Sequence, residues 1–471
     1  MNTTSTLKKL NLREKILQMF IIGFEGVDLD EKNVLFQNLL KEGVGGVIFF
    51  AQNLKNRDKF KNLTALINSC PKIPPFLSID QEGGLVERTI QLDEKVDYLT
   101  PLALCQIENV DLTKQHTEIM AQDLLDLGIN MNFAPLLDVN TNPYNPIIGV
   151  RAFSNNPVKV EKCAKVVYKT LSHNNIIPVG KHFPGHGEAS VDSHIDMPQI
   201  DMKMDELETL HIKPFILAIN EDIDALMIAH VHYRAFNEEK IPASLSKEVI
   251  SDYLTDKLDF KGLIISDDMV MGGVAKHYGL EQSLIKGIQA GIDVFIFRDT
   301  TPELIDCIEK LVLKVSTGEI SEERIDKSVK KILEKKKKYN LFKKSDIKQT
   351  FNIEKAQEMI DNIALKSVKI IKKGKLLPLD KKKKYLIISP DRSKIFNLSF
   401  DKRNLSCYFK DFQADEYFFS PNPQADEIDY IFKIAPNYDA LIFVSYNAHI
   451  NTKQIDICKN LVIPYIVIST G

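Results

Sequence analysis

Eight short apolar runs, separated by amphipathic stretches, fill the first two thirds of the chain. They are 19–22, 47–50, 76–79, 131–134, 178–182, 225–229, 263–266 and 294–297. Between several of them the sequence has helical periodicity, as in Pro157–His173 and Glu281–Ala290. Apolar strands that alternate with helices indicate a parallel sheet covered on its outside. Eight such units predict a (β/α)₈ barrel that closes near Arg298.

Composition narrows the class of protein. The chain has 471 residues and a net charge of −3, which gives no general electrostatic reason to bind nucleic acid or a membrane surface. We find neither an apolar run long enough to span a bilayer nor a secretory leader, which favours a cytoplasmic location. The six cysteines form no CxxC pair. This pattern favours reduced thiols over a disulfide framework or a cysteine zinc site.

The remainder of the chain predicts a linker and a smaller domain. We assign residues 1–342 to the barrel, 343–375 to a helical linker and 376–471 to a partial α/β domain. KYLIISP, DALIFVS and IPYIVISTG predict three buried parallel strands in that domain. No helix follows the third strand, so we expect the domain to be small or shortened. Lysines 335–338 are interpreted as the solvated end of an amphipathic helix rather than a nucleic-acid patch.

Polar residues directly follow several of the apolar runs. Asp80, Lys181–His182, His230 and Asp267–Asp268 all stand at predicted strand ends. In a (β/α)₈ barrel the carboxyl ends of the strands carry the active site. We therefore expect these side chains to meet at one mouth of the barrel.

The densest polar segment is KHFPGHGEASVDSHIDMP, residues 181–198. His182, His186 and His194 can exchange protons near neutral pH, and Asp192 can orient the His194 ring through a hydrogen bond. His182 and His186 also have the spacing of a helical zinc motif. Pro184 and the neighbouring glycines disfavour a helix there, so we expect no metal site.

A second segment, KGLIISDDMVMGG, places two carboxylates at the end of an apolar strand. Side chains alternate along a strand, so we expect one of Asp267 and Asp268 to face the barrel mouth. That carboxylate can act as a nucleophile or a base, and the other can cap the following helix. Asp80 and Arg88 in SIDQEGGLVERT, and Arg151 in NPIIGVRAF, are weaker candidates for polar-ligand contacts. No phosphate loop or dinucleotide motif is present, and no cofactor is expected.

DQEGG, the Lys181–His194 segment and SDDM occur in an order and spacing that resemble glycoside hydrolase family 3, in its β-N-acetylglucosaminidase branch. The resemblance covers about Gln18 to Leu341. It implies a retaining exo-enzyme that releases N-acetylglucosamine from muropeptide fragments or chitooligosaccharides. The position after DQEGG is commonly Arg in this branch and is Leu85 here. We expect this change to loosen a contact without affecting a catalytic role.

The resemblance also implies a role for each matched residue. Asp267 corresponds to the nucleophile, His194 to the general acid/base, and Asp192 to its orienting partner. The residues that correspond to those gripping the hydroxyls of the sugar are Asp80, Arg88, Arg151, Lys181 and His182.

Three alternatives stay open from the sequence. The first is a related phosphorylase, because an imidazole does not repel an incoming phosphate as a carboxylate would. The second is a β-glucosidase of the same family. The third, from a different class, is a sugar-binding protein without catalytic activity. The oligomeric state is not predicted.

Overall fold

Each predicted apolar run becomes a strand of one closed barrel. The strands of the barrel unit, in chain order, are β1 (Phe20–Ile22), β2 (Gly46–Phe49), β3 (Phe76–Ile79), β4 (Gln81–Gly83), β5 (Val86–Glu87), β6 (Met131–Asn132), β7 (Ile177–Phe183), β8 (Gln199–Ile200), β9 (Ala225–Ile228), β10 (His232–Tyr233), β11 (Leu263–Asp268) and β12 (Val294–Phe297). In this computed structural model, which describes residues 3–343, 351–391 and 405–470, the closed order is β1-β12-β11-β9-β7-β6-β3-β2. All neighbours in it are parallel. The predicted (β/α)₈ barrel is confirmed, as is its closure next to Arg298.

Helices follow or precede the barrel strands. They are α1 (Thr3–Leu7), α2 (Leu12–Gln18), α3 (Val34–Glu42), α4 (Arg57–Ser69), α5 (Pro101–Gln106), α6 (Val110–Asp126), α7 (Pro157–His173), α8 (Met204–Leu207), α9 (Lys213–Asn220), α10 (Gly272–Ala275), α11 (Leu280–Ala290), α12 (Pro302–Ser316), α13 (Glu322–Lys338) and α14 (Ile353–Ser367). Two π-helical segments cover Glu208–Ile212 and Glu248–Lys257. The helices predicted at Pro157–His173 and Glu281–Ala290 are therefore confirmed, the second with one extra residue at its start.

The lysine run at the end of α13 is solvated at Lys337 and Lys338, but the prediction of a solvated helix end was wrong for Lys335 and Lys336. Lys336 is completely buried, donates to Gln18 Oε1 at 2.9 Å, and lies 4.9 Å from the centre of the Phe76 ring. Lys335 and Lys338 both pair with the buried Asp224 at the start of β9. Lys337 is exposed. A long aliphatic stem lets a lysine cross apolar surface to reach such a partner, which a charge pattern alone does not reveal.

The segment predicted as a linker contains α14. Ala356, Ile360 and Ile363 of this helix belong to the hydrophobic core of the barrel unit. Gln357 also accepts a hydrogen bond from the Asp97 backbone at 2.9 Å. The chain divides into two compact units, Met1–Ser367 and Val368–Gly471, so this helix is part of the first.

In its described residues, the second unit consists of a parallel sheet of four strands and two α-helices. Its elements are β13 (Lys384–Pro390), β14 (Gln413–Phe419), α15 (Ala425–Ile434), β15 (Ala440–Ser445), α16 (Lys453–Asn460) and β16 (Tyr465–Ser469), and the sheet order is β14-β13-β15-β16. The three predicted strands are present. The sequence prediction missed β14, and β16 is largely exposed rather than buried.

Cysteine pairing differs from the prediction of reduced thiols. Cys105 in α5 and Cys163 in α7 form a disulfide with their Cα atoms 5.8 Å apart. They are 58 residues apart in the chain, so their proximity arises only when the two helices pack. Free thiols are seen at Cys70, Cys307, Cys407 and Cys458. Throughout the described residues, every helix is too short or too polar to traverse a membrane.

Candidate active site

The residues that the sequence singled out lie at the carboxyl ends of the barrel strands. Asp80 follows β3, Lys181 and His182 are in the last part of β7, and Asp267 is in the last part of β11. Because all barrel strands are parallel, these ends point to the same mouth. The fold therefore brings together side chains that are far apart in sequence.

Two carboxylates and three cations form a connected cluster at this mouth. Asp80 accepts from Lys181 Nζ at 2.8 Å and from Arg88 Nη2 at 3.3 Å. Glu82, to which the sequence interpretation assigned no role, accepts from Lys181 Nζ at 2.7 Å. It also accepts two hydrogen bonds from Arg151, at 2.9 and 2.8 Å. Glu82 thus links the two cations that are 30 residues apart in sequence, Arg151 and Lys181.

Mutual attraction keeps this cluster charged despite its burial. Burial favours the neutral form of Asp80, but Lys181 and Arg88 hold the pKa of its carboxyl well below the usual range. Arg151 and Lys181 lower the pKa of Glu82 in the same way, against burial. Two anions beside three cations leave one net positive charge. Such fixed, oriented charges suit the recognition of hydroxyl groups on a polar ligand.

A tight hairpin of β4 and β5 carries Glu82 and Arg88. Gly83 and Gly84 both have positive φ angles, 98° and 64°. A Cβ atom on Gly84 would lie 2.2 Å from Thr100 Cγ2, and one on Gly83 would lie 2.2 Å from the Leu99 carbonyl oxygen. The glycine pair is therefore required by the backbone conformation and by this close approach. Leu85 is half-buried beside the turn.

His182 is oriented by a carboxylate that the sequence prediction missed. Its Nδ1 donates to Asp138 Oδ2 at 2.7 Å. Asp138 is completely buried and also accepts the backbone N–H groups of His182 and His186. Burial opposes the charge of Asp138, but the interactions with His182 lower its pKa to about 2. With Nδ1 directed to Asp138, the opposite ring nitrogen Nε2 is left to meet a ligand.

Asp192 and His194 form the predicted hydrogen-bonded pair. Asp192 Oδ1 accepts from His194 Nδ1 and from the His194 backbone N–H, both at 2.8 Å. Burial disfavours the charged imidazole, but this hydrogen bond and the charge of Asp267 raise the pKa of His194. The ring therefore retains a proton to a higher pH than an ordinary histidine.

The segment that carries this pair is held against the residues that follow β11. The backbone N–H of Gly272 donates to the His194 carbonyl at 3.2 Å, and that of Gly273 donates to the Ser193 carbonyl at 2.9 Å. A Cβ atom on Gly272 would lie 2.3 Å from the Ile195 carbonyl oxygen, so a side chain there would displace the segment. These contacts bring His194 into the electrostatic neighbourhood of Asp267.

The two adjacent aspartates have different environments. Burial favours the neutral form of Asp267, but the charges of His182, His230 and His194 lower its pKa. Burial, aided by the charge of Asp267, raises the pKa of Asp268 to about 7 against the opposing effect of Arg298. Asp268 Oδ1 accepts from the backbone N–H groups of Val270 and Arg298, each at 3.3 Å. It does not cap a helix as predicted, because α10 begins four residues later, at Gly272, and its N-cap is Met271.

His230, which the sequence placed at a strand end without a role, supports this region. Its Nδ1 shares a hydrogen bond with Ser244 Oγ at 2.7 Å, and its Nε2 bonds the Asp268 carbonyl at 3.1 Å. Burial lowers the pKa of His230 despite the charge of Asp267. Among residues 3–343, 351–391 and 405–470 there is no cluster of three or more His, Cys, Asp or Glu side chains that could hold a metal ion.

Comparison with known proteins identifies the family of this barrel. Residues 11–335 match the family described as the glycosyl hydrolase family 3 N-terminal domain. The chain belongs to this family. It is a glycoside hydrolase, and the family match spans all eight strands of its barrel.

Several proteins are similar to this family 3 hydrolase along most of its length. A curated protein of Pseudoalteromonas piscicida, named β-hexosaminidase A, is 28% identical over 405 residues, which cover 79% of this chain and 67% of that protein. A family 3 β-N-acetylglucosaminidase structure from Paenibacillus sp. FPU-7 is 29% identical with a TM-score of 0.90 and covers 98% of this chain and 90% of that chain. The structure of NagZ from Neisseria gonorrhoeae in complex with N-trifluoroacetyl-D-glucosamine is 26% identical with a TM-score of 0.60. The match covers 74% of this chain and 98% of that chain.

Proposed function

We propose that this hydrolase is a retaining exo-β-N-acetylglucosaminidase. The observation that carries the proposal is the hydrogen-bonded Asp192–His194 pair, whose imidazole interacts electrostatically with Asp267: the pKa of His194 is raised and that of Asp267 is lowered. One group is thus suited to give a proton and the other to act as an anion. The names of the relatives, β-hexosaminidase A and β-N-acetylglucosaminidase, support the sugar specificity.

The proposed reaction has two steps. In the first, Asp267 attacks the anomeric carbon while the Nε2–H of His194 protonates the glycosidic oxygen, so that the aglycone leaves as an alcohol. In the second, neutral His194 removes a proton from water, which attacks the anomeric carbon and releases Asp267. Two inversions give net retention of the β configuration. A histidine replaces the second carboxylate that most retaining glycosidases use.

We propose that Asp80, Arg88, Arg151, Lys181 and His182 bind the hydroxyl groups of the terminal sugar. Glu82 and Asp138 hold these side chains in place and do not themselves need to touch the sugar. The natural substrates in this proposal are muropeptide fragments or chitooligosaccharides. The N-trifluoroacetyl-D-glucosamine bound to the Neisseria protein supports recognition of an acylated glucosamine.

Replacing the nucleophile tests the proposal directly. We expect Asp267→Ala to lower kcat for an aryl β-N-acetylglucosaminide by roughly 10⁴-fold or more, because the first step loses its attacking group. Asp201→Ala is the matched control, since Asp201 is an exposed aspartate after β8 that bonds Gln199. Activity near that of the wild type in Asp267→Ala would refute the assignment. Faster turnover of an aryl glucoside by the wild-type protein would instead indicate a β-glucosidase.

A phosphorylase is the second candidate. The raised pKa of His194 favours it, because a cationic imidazole attracts a phosphate acceptor where a carboxylate would repel it. We expect free N-acetylglucosamine as the product in phosphate buffer. Formation of the sugar 1-phosphate, followed by phosphorus NMR, would replace the hydrolase with this candidate.

We also propose that the protein works in the cytoplasm in peptidoglycan turnover. The Cys105–Cys163 disulfide weighs against a reducing compartment, where such bonds are rare. Titration of thiols in the denatured, freshly isolated protein distinguishes the reduced form of Cys105 and Cys163 from the disulfide-bonded form. Six reactive thiols per chain would support the cytoplasmic proposal. Four would confirm the disulfide and argue for an oxidising compartment.

A further inference from the structure

Ser193 stands between the two members of the acid/base pair but faces the other way. It is only 3% exposed, whereas the side chain of His194 is 43% exposed. Its hydroxyl shares a hydrogen bond with His186 Nε2 at 3.0 Å. Its carbonyl accepts from the Gly273 backbone N–H at 2.9 Å. Ser193 is therefore fixed on one side by the segment after β7 and on the other by the segment after β11.

His186 is itself firmly held. It is 3% exposed, and its backbone N–H donates to Asp138 Oδ1 at 2.7 Å. Its carbonyl accepts from Asn145 Nδ2 at 2.9 Å. Its ring packs edge-to-face against His182, with the ring centres 5.8 Å apart. Burial, aided by the charge of His182, lowers the pKa of His186 to about 4, so the ring is neutral near pH 7. A neutral, buried imidazole is a suitable hydrogen-bond partner for a hydroxyl group.

We infer that His186 and Ser193 are positioning residues that set the orientation of the Asp192–His194 pair relative to Asp267. The inference rests on the proposed function. Neither residue needs to touch the substrate. Because Ser193 shares a peptide bond with each member of the pair, any change in its backbone angles moves both. A misplacement of about 1 Å is enough to cost about 10²-fold in rate.

The inference predicts a selective defect rather than a general one. A misplaced His194 fails mainly in proton donation, which a sugar aglycone needs and a 2,4-dinitrophenol aglycone does not. The parameter kcat/KM reports only steps up to the first irreversible one, so it isolates the step in which the aglycone leaves. A merely structural role for Ser193 would lower kcat/KM for both substrates alike.

The experiment measures kcat/KM for chitobiose and for 2,4-dinitrophenyl β-N-acetylglucosaminide in the full-length protein. We expect Ser193→Ala to lose about 10- to 100-fold on chitobiose and less than about 3-fold on the dinitrophenyl substrate. His186→Phe keeps the ring contact with His182 but removes the bond to Ser193, so we expect the same selectivity. The double variant should lose no more kcat/KM on chitobiose than the more impaired of the two single variants, because both changes break the same hydrogen bond.

Ser283→Ala is the matched control. Ser283 in α11 is also buried, and its hydroxyl donates to the carbonyl of Gly279, the residue before that helix. We expect it to keep wild-type values for both substrates. Wild-type values for Ser193→Ala, equal losses on the two substrates, or additive losses in the double variant would overturn the inference. A wild-type protein that is inactive on both substrates would instead refute the proposed function on which the inference rests.

Discussion

The Asp192 carboxylate sets the pH range in which His194 can donate a proton. Its hydrogen bond, with the charge of Asp267, raises the pKa of His194 against the effect of burial. The first step requires protonated His194, so kcat/KM should fall as the pH rises through this raised pKa. At the acid end the rate falls where Asp267 becomes protonated, and the pKa of Asp267 is lowered. The active range is therefore wide and extends above the ordinary pKa of histidine.

Asp192→Asn should move the alkaline limb of this profile. The amide keeps the size of the side chain but removes its charge, so the pKa of His194 falls and the alkaline limb moves to lower pH. We also expect kcat/KM at the optimum to fall by about 10- to 100-fold. The pH dependence of kcat/KM is the measurement, with Asp201→Asn as the control. An alkaline limb that stays in place would show that Asp192 does not tune His194.

At the residue scale, the sequence predicted which side chains gather at the mouth but not what holds them. A polar residue that directly follows an apolar run can be recognised in the sequence as the end of a strand. This rule located Asp80, Lys181 and Asp267. The same rule applied to the run ending at Leu137 would have found Asp138. Glu82 was inside the DQEGG motif, but its pairing with Arg151 arises only when the barrel closes. The chemical roles of these residues are proposals that the variants test.

Among the helices, α13 contains a buried amine, that of Lys336, whose burial lowers the stability of the fold. This amine is completely buried and has Gln18 and the Phe76 ring as neighbours, and no carboxylate of the described residues pairs with it. Burial lowers the pKa of Lys336 well below its ordinary value. Between that lowered pKa and about 10.5, the unfolded chain binds one proton more than the folded chain. The free energy of unfolding should therefore rise with pH across this interval.

Lys336→Met should stabilise the barrel. Methionine fills a similar volume without the cost of burying an amine, and we expect a gain of about 1 kcal/mol or more in the free energy of unfolding near pH 7. The gain should shrink as the pH approaches 10.5. Urea unfolding at several pH values measures it, and Lys337→Met, at the exposed neighbouring position, is the control. A destabilised Lys336→Met protein would mean that the contacts with Gln18 and Phe76 outweigh the burial cost.

Strands with a continuous apolar sequence could be predicted. The burial of strands at the edge of a sheet could not. The barrel strands are buried on both faces and appear as continuous apolar runs. In β14, by contrast, exposed and half-buried positions mix along QADEYFF because the strand lies at the edge of its sheet. This pattern resembles a polar loop in sequence. The exposure of β16 follows from the same edge position, which hydrophobicity alone does not reveal.

For the molecule as a whole, we propose that residues 1–342 contain every group needed for chemistry and that residues 376–471 are not required. All buried members of the barrel core lie before Ser367, and three of them come from α14. A chain that ends at residue 367 should therefore stay folded and keep its kcat/KM. A loss of activity in this shortened protein would assign a catalytic contribution to the second unit.

A chain that ends at residue 342 should behave differently. It loses the buried side chains of Ile360 and Ile363, so we expect the free energy of unfolding to fall by about 3–6 kcal/mol. Urea unfolding of the two shortened proteins, together with their activity on an aryl β-N-acetylglucosaminide, checks this. Equal stability of the two proteins would show that the barrel does not depend on α14.

The two ends of the barrel perform separate tasks. Asp224 and Asp293 precede β9 and β12 and are held by lysines of α13, while the proposed catalytic side chains stand at the opposite ends of the strands. Rigid strands lie between these two layers. The layer at the amino-terminal ends of the strands can therefore be redesigned for heat resistance independently of the loops at the carboxyl-terminal ends. Those loops can be varied separately to accept new aglycones. Gains from the two should combine without renewed optimisation.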